Sequence, residues 1–522
     1  DIDCKKMLYD IQQIEQGLKG IMQMVPEKSL PALADVFKKS VAKLNEPMQL
    51  AILGKISSSK STLVNAILGK KEIMATGQKE VTYNVGWLKY GDPSLDIIIH
   101  HKDGTSVEKK NRDEFEKWTT DCSSSEIDNI SYVEIFDDAE ILKDINIIDT
   151  PGLDALRGKD SQNTLDFIRK VHPDAMIMLF THSVSENVLD IVRQYNAESS
   201  FTPLNAVGVL AKIDVLWQED FERKRTALEI GQRMTQNLKV KNTMLSKSLF
   251  DIYPISALLF LASNSLDECV LEDLKSIMSH DDNVIKNLLK SVARFVGVNP
   301  DVSISVEGRK RIVDSIGLYG AYVLGKYLKQ KPDCTLQEAK EILAKESGAT
   351  DFQKVLYGHF GMRAKLIKLE SVYQNITLTI KSCKTQTKDA STLHILSKVQ
   401  QHLTNLFNSL VYEHQEYEML NRIYNNVLLL DDDVKEEFLS LCGEKGASAP
   451  ERLSMLVGSP PTELLTKADE RLKYWRKNIA LEPDPEEREW MNVMLKSYSR
   501  LRSNIQTLNY QYNQAKAFLF NQ

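Results

Sequence analysis

The run Gly54-Lys55-Ile56-Ser57-Ser58-Ser59-Lys60-Ser61 joins a short apolar stretch, Met48 to Leu53, to a stretch of helical spacing from Ser61 to Leu68. A hydroxyl-rich turn in that position lets backbone amides wrap a phosphate chain where a helix begins and its dipole favours negative charge. Lys60 is then placed to neutralise β- and γ-phosphates, and the Ser61 hydroxyl to ligate a Mg²⁺ that bridges them. Gly54, Ser57, Ser58, Ser59 and Thr62 complete the expected nucleotide contacts in this segment. The glycine that precedes the lysine in a Walker A loop is Ser59 here. Its Cβ crowds the loop if the backbone there needs a conformation favourable only for glycine, and weaker affinity or slower turnover would follow.

Four further motifs share the same chemistry. Asp149-Thr150-Pro151-Gly152 follows the apolar run Asn146–Ile148, so Asp149 stands at a strand end where it can hold the Mg²⁺ shell through water, and Gly152 can offer its amide to a γ-phosphate. Between the two motifs lies the polar loop Thr76-Gly77-Gln78-Lys79-Glu80-Val81-Thr82, in which Thr82 is the candidate to reach metal and γ-phosphate when the loop closes. After the run Ala206–Leu210 comes Ala211-Lys212-Ile213-Asp214. The Asp214 carboxylate can accept N1–H and N2–H of guanine as a pair, which adenine cannot offer, while the Lys212 stem covers the base. Ile255-Ser256-Ala257 fits a loop whose backbone caps the guanine oxygen. If Asp214 is only a helix cap, the phosphate loop by itself does not discriminate and ATP remains an alternative.

These motifs need strands to end beside one another. Apolar runs bounded by turn signals recur at Leu95–His100, Asn146–Ile148, Ala175–Phe180, Ala206–Leu210 and Ile252–Ile255, with helical stretches between several of them. That alternation predicts an α/β head with a mainly parallel sheet covered by helices on both faces. Beyond about residue 300 strand signals stop, and helices follow with breaks near Pro332, Gly348, Lys384–Ala390, Gly443–Pro450, Gly458–Pro461 and Pro483–Pro485. Heptad seams run through Leu396, Val399, Leu403, Leu406 and Leu410 and on to Val427, then from Met491 through Met494, Tyr498, Leu501 and Ile505 to Leu519. Tyrosines and Glu413 interrupt the seams, which favours an intramolecular bundle over a dimeric coiled coil.

Composition narrows the class. The formal charge of −6 over 522 residues argues against a protein whose main work is to hold nucleic acid, and with it against a ribosome-assembly role. An apolar fraction of 42%, with no run long enough to span a bilayer, leaves only peripheral membrane contact. The chain opens on Asp1 without a signal-peptide pattern, so a cytoplasmic location is expected, with peripheral contact at an inner membrane. Cys4, Cys122, Cys269, Cys334, Cys383 and Cys442 lie far apart and are expected to be buried free thiols.

With its five nucleotide motifs in order, the chain resembles the dynamin superfamily of large GTPases, and within it the bacterial dynamin-like proteins related to mitofusins. The long interval from Lys60 to Asp149, the flanking helices, and Leu153 where Ras-like proteins place glutamine separate it from small GTPases. The resemblance implies GTP hydrolysis to GDP with Mg²⁺, head-to-head self-association in which Ser57 helps complete the catalytic site, and Lys60 and Thr82 as its catalytic partners. It also implies a neck in which Met7–Ile21 pairs with Leu336–Tyr373 and the chain's end, with hinges near Pro47 and Pro332. The resulting division is an N-terminal neck helix over 1–46, a GTPase domain over 47–300, hinge and neck helices over 301–383, trunk helices over 384–484 with a tip near 428–461, and a returning helix over 485–522. Leu428–Leu430 is followed by Asp431–Asp433, so this stretch is a poor lipid wedge, and either a weak peripheral contact or a second dynamin-like subunit that supplies the lipid-binding surface is expected. The implied function is membrane remodelling or tethering; the alternative is a GTP-regulated scaffold with little hydrolysis that binds protein partners.

Overall fold

The computed structural model describes residues 2–55, 58–71, 73–74, 84–104, 107–120, 129–151, 171, 173–181, 205–217, 225–241, 245, 248–299, 302–410, 415–416, 419–420, 422–423, 428–446 and 448–520. Two compact units emerge, one from Pro47 to Leu356, the other combining Asp1–Glu46 with Tyr357–Gln522.

The first unit, the head, is built on a nine-stranded sheet in the order β4-β3-β5-β2-β6-β1-β7-β8-β9. The strands are β1 (Met48–Gly54), β2 (Val85–Tyr90), β3 (Ile97–His101), β4 (Val107–Lys110), β5 (Ile130–Asp137), β6 (Ile145–Asp149), β7 (Ala175–Phe180), β8 (Ala206–Ala211) and β9 (Ile252–Ile255). β6, β1, β7, β8 and β9 pair in parallel. Every residue of β1, β6, β7 and β8 is buried, which is why these strands read as continuous apolar runs. β2 joins antiparallel to β6 and parallel to β5, and β3 and β4 close that side as antiparallel strands, so the sheet is mixed.

The head extends past residue 300, where the sequence reading ended it. Helix Val306–Gln330 buries Ile312, Ile316, Leu324 and Leu328, and it packs on helices Glu268–Met278 and Ala257–Ser265. Helix Leu336–Glu346 packs on Ala257–Ser265 as well. Both amphipathic stripes therefore complete the head's core rather than a neck, and Pro332 lies within that unit instead of at its edge.

The second unit is helical. Its first 46 residues form two helices, Ile2–Met22 and Pro31–Lys43, separated by a turn that contains Pro26. The first packs on helix Ala390–Leu410 and the second on Met362–Gln386, a different pairing from the expected one with Leu336–Tyr373. Leu396, Val399 and Leu403 are buried as the heptad predicts, but Phe407 rather than Leu406 continues the fully buried seam, and Leu406 lies against Gly17. Helices Pro461–Leu481 and Pro485–Phe520 form an antiparallel hairpin. There the Glu437 carboxylate takes a bidentate pair from Arg471, an indole N–H from Trp475 at 3.1 Å and the Tyr498 hydroxyl at 2.6 Å. Burial and the carboxylate together push the Tyr498 phenol well above its usual range.

The expected apolar triplet divides: Leu428 is buried, whereas Leu429 is 77% exposed. Leu456 and Val457, in the turn before helix Pro461–Leu481, are 85% and 77% exposed. Cys334 and Cys442 are buried and in no disulfide, but Cys383 is half-buried and Cys269 exposed. Among the described residues, no helix is long and apolar enough to cross a membrane.

Candidate functional site

β1 lies between β6 and β7, so its C-terminal end opens between two parallel neighbours, where the segment from Lys55 to Ser59 leads into helix Lys60–Leu68. Gly54 is required there by close approach: a Cβ at this position would lie 2.9 Å from both the Leu179 carbonyl oxygen and Cβ, and 2.8 Å from Ser58 Oγ. The Lys60 ammonium donates to the carbonyls of Gly54 at 3.3 Å and Lys55 at 2.9 Å, which folds it back over the loop. Ser58 is 1% exposed, and its hydroxyl has no hydrogen-bond partner among the described residues.

Ser59 caps the helix at φ 65° and ψ 32°. A left-handed backbone on a residue with a Cβ costs on the order of 1 kcal/mol, so the position does demand what glycine provides most easily. Lys212, in the second loop of the site, also has a left-handed backbone, at φ 59°. Strained backbone of this kind persists only where the surrounding structure holds it, and it collects at ligand-gripping turns.

Ser61 and Asp149 meet across the head of the sheet. The Ser61 hydroxyl donates to Asp149 Oδ2 at 2.9 Å, and both side chains are buried. Their proximity follows from the parallel register, in which Ile52 is opposite Asp149, so that β6 ends beside the helix that follows β1. Two oxygen donors at a helix N-terminus suit Mg²⁺, a hard cation that takes a hydroxyl directly and a carboxylate through water. Thr150 was not singled out from sequence; its hydroxyl donates to the Ile52 carbonyl at 2.8 Å and pins the turn after β6 to β1. Asn65 was missed too: its amide donates to the Met74 carbonyl at 2.9 Å and accepts from the Met74 N–H at 2.8 Å, anchoring the chain just before the polar 76–82 loop. A buried asparagine on an otherwise apolar helix face was the available signal.

The residues expected to meet a base lie at the ends of β8 and β9, which are parallel neighbours with Ala211 opposite Ile255. After Ala211 and Lys212 the chain enters a 3₁₀ turn over residues 213–217. The Ser256 hydroxyl is near enough to the Asp214 carboxyl to pull its pKa down. Ser256 in turn accepts from the Leu259 N–H at 3.3 Å and so caps helix Ala257–Ser265, with Ala257 as its first residue. Burial raises the Asp214 carboxyl above its usual value, against the Ser256 hydroxyl and the Lys212 charge, which pull it down. The structure therefore brings Gly54, Ser58, Ser59, Lys60, Ser61, Thr62 and Asp149 to the ends of β1 and β6, and Lys212, Asp214, Ser256 and Ala257 to the ends of β8 and β9, with β7 between the two groups. Ser57, Thr82 and Gly152 lie outside the described residues.

Comparison with known proteins follows this geometry. Residues 50–213 match the model of the dynamin family, so the match stops one residue before Asp214. The "Isoniazid-induced protein IniC" of Mycobacterium tuberculosis is 23% identical over 470 residues, which cover 84% of this chain and 86% of that protein. The "Dynamin-like protein 2" of Campylobacter jejuni is 28% identical over 195 residues, covering 37% of this chain and 30% of that protein. A chain from a structure described as "An oligomerised bacterial dynamin pair provides a mechanism for the long-range sensing and tethering of membranes" aligns over 98% of this chain and 78% of its own length, at 16% identity and a TM-score of 0.33. A likeness that loose carries no argument.

Proposed function

We propose that this bacterial dynamin-like chain, with its dynamin-family domain, binds GTP with Mg²⁺ and hydrolyses it to GDP and phosphate, coupling the cycle to membrane tethering or remodelling. The observation that carries the reading is the Ser61–Asp149 contact of 2.9 Å beside a folded-back Lys60, at the end of parallel strands. These are the metal-side and phosphate-side groups of a phosphoryl-transfer site, and Asp214 beside Ser256 supplies a base acceptor. Magnesium bound through Ser61 and Asp149 would neutralise charge on the β- and γ-phosphates. Ser57 and Thr82 are proposed to complete catalysis, Ser57 when two heads associate, and Gly152 to offer its amide to the γ-phosphate.

The exposed pair Leu456–Val457 is the proposed lipid contact, since two adjacent apolar side chains in a turn can enter the interface without a spanning helix. A second dynamin-like subunit is proposed to widen that contact. One structural fact favours the scaffold alternative: Ser59 holds a left-handed backbone inside the phosphate loop, which would slow turnover while leaving binding possible.

The deciding experiment is GTP hydrolysis against protein concentration, with and without anionic liposomes, beside an ATP comparison and Lys60→Ala. A GTP-specific rate that rises with concentration or lipid and vanishes in the variant supports the proposal. Tight GTP binding without turnover under every condition supports the scaffold, and equal use of ATP overturns the base assignment.

A further inference from the structure

The base end of the site is held from behind by residues far along the chain. The Ser256 N–H donates to the Ser347 carbonyl at 2.9 Å. Ser347 is fully buried, and its own hydroxyl donates to the Ala344 carbonyl at 2.7 Å and accepts from the Ala349 N–H at 3.0 Å, so this carbonyl has little freedom to move. Gly348 follows at φ 76°, and a Cβ there would lie 2.1 Å from the Pro254 carbonyl oxygen. Only glycine allows the turn to lie flat on the end of β9.

A second link reaches the other base loop. The Tyr319 hydroxyl donates to Glu346 Oε2 at 2.9 Å and accepts from the Ala227 N–H at 2.9 Å. The Tyr319 ring is buried with its centroid 5.9 Å from that of Trp217, the last residue of the 3₁₀ turn that contains Asp214. Trp217 also stacks on Tyr322 at 4.9 Å and 16°. Gly317, at φ 64°, kinks the helix just before Tyr319. Residues 317–322 and 346–348 thus meet each other through Glu346 and Tyr319, and each contacts one of the two loops that flank the base.

We propose that the Glu346–Ser347–Gly348 turn and Tyr319 are positioning residues for base recognition, holding Ser256 and the Asp214 turn at the separation that lets Asp214 accept both guanine N–H groups. The inference rests on Asp214 as the base acceptor. A paired acceptor is sensitive to small displacements, because the second hydrogen bond is lost first when the carboxylate tilts. Phosphate contacts, made at β1 and β6, are left in place.

The test compares GDP with IDP, which has the same phosphates, N1–H and O6 but no N2 amino group. Equilibrium binding of both nucleotides is measured on the full chain for the unmodified protein, Asp214→Ala, Gly348→Ala, Tyr319→Phe, Glu346→Ala and Glu346→Gln. In the unmodified protein GDP binds more tightly than IDP, and Asp214→Ala removes that preference. Gly348→Ala, Tyr319→Phe and Glu346→Ala are expected to reduce the GDP preference about tenfold, the scale of one hydrogen bond to a charged carboxylate, with IDP affinity nearly constant. Glu346→Gln keeps an acceptor for Tyr319 and keeps the preference. Tyr319→Phe removes one oxygen without a new clash, so it reports even if Gly348→Ala does not fold. Equal weakening of GDP and IDP in the turn variants, or no change in either, overturns the proposal. If Asp214→Ala leaves the preference intact, the base assignment itself fails and the proposal falls with it.

Discussion

The phosphate end and the base end of the site are built on different principles. At the phosphate end every placed group belongs to β1, β6, the loop after β1 or the helix that follows it, and the register of two central parallel strands brings Ser61 to Asp149. At the base end Asp214 and Ser256 sit on loops after β8 and β9, and their placement depends on Tyr319, Glu346 and Ser347, residues from helices that cover the sheet. The first end is fixed by local motif plus strand pairing. The second is fixed by tertiary packing, so it can be retuned without touching the phosphate grip.

The contrast can be broken most strongly from the phosphate side. Lys60→Ala should reduce GTP hydrolysis by about two to three orders of magnitude, the usual loss when one charge-stabilising group is removed, and should weaken GTP and ATP binding alike. Phosphate release and nucleotide titration check both points. Weakening confined to GTP would mean that the two ends are not separable.

Asp214→Asn should sharpen the contrast. An amide presents one acceptor and one donor, so GDP affinity should fall about a hundredfold while xanthosine diphosphate, with a carbonyl where guanine has an amino group, gains. Acidity supplies an independent probe. A carboxyl whose folded pKa lies above its ordinary 3.8 destabilises the head when ionised, so that group's contribution favours folding below 3.8 and is lost as pH rises through the folded value. Protonation also removes an acceptor from the base. GDP affinity should therefore decline with falling pH at values still above 3.8, and Asp214→Asn should abolish that dependence. A flat profile in the unmodified protein would mean that the raised carboxyl does not face the base.

The smallest expected effect is from Ser59→Gly. Relief of the left-handed strain should stabilise the head by about 1 kcal/mol and raise its melting midpoint by a few degrees. Faster turnover in the same variant would show that the serine restrains the phosphate loop. No rise in midpoint would show that the observed turn carries no strain.

Legibility in the sequence follows the same division. β1, β6, β7 and β8 are buried on both faces and announce themselves as apolar runs, and the motifs after them are contiguous. β4 is Val-Glu-Lys-Lys with an exposed face, and β5 is broken by Ser131, Glu134 and Asp137, so neither forms a run. The helices after residue 300 have clear stripes, but a stripe does not say what it packs against; that is why they were assigned to a neck. Gly348 could be read as a helix break, whereas its contact with Pro254 depends on a residue far earlier in the chain and leaves no local trace. The dynamin resemblance compensated at the head, where motif order is informative, and misplaced the partners of helix Ile2–Met22, where it is not.

The stacking of Trp217 on Tyr322 makes the head an optical instrument. Of the chain's 5 tryptophans, Trp217 closes the turn that contains Asp214, while Trp475 and Trp490 pack on each other in the helical unit. An indole buried against a phenol changes its emission when the ring pair shifts, so a chain whose other tryptophans are replaced by phenylalanine would report entry and loss of the base in real time, without a labelled nucleotide.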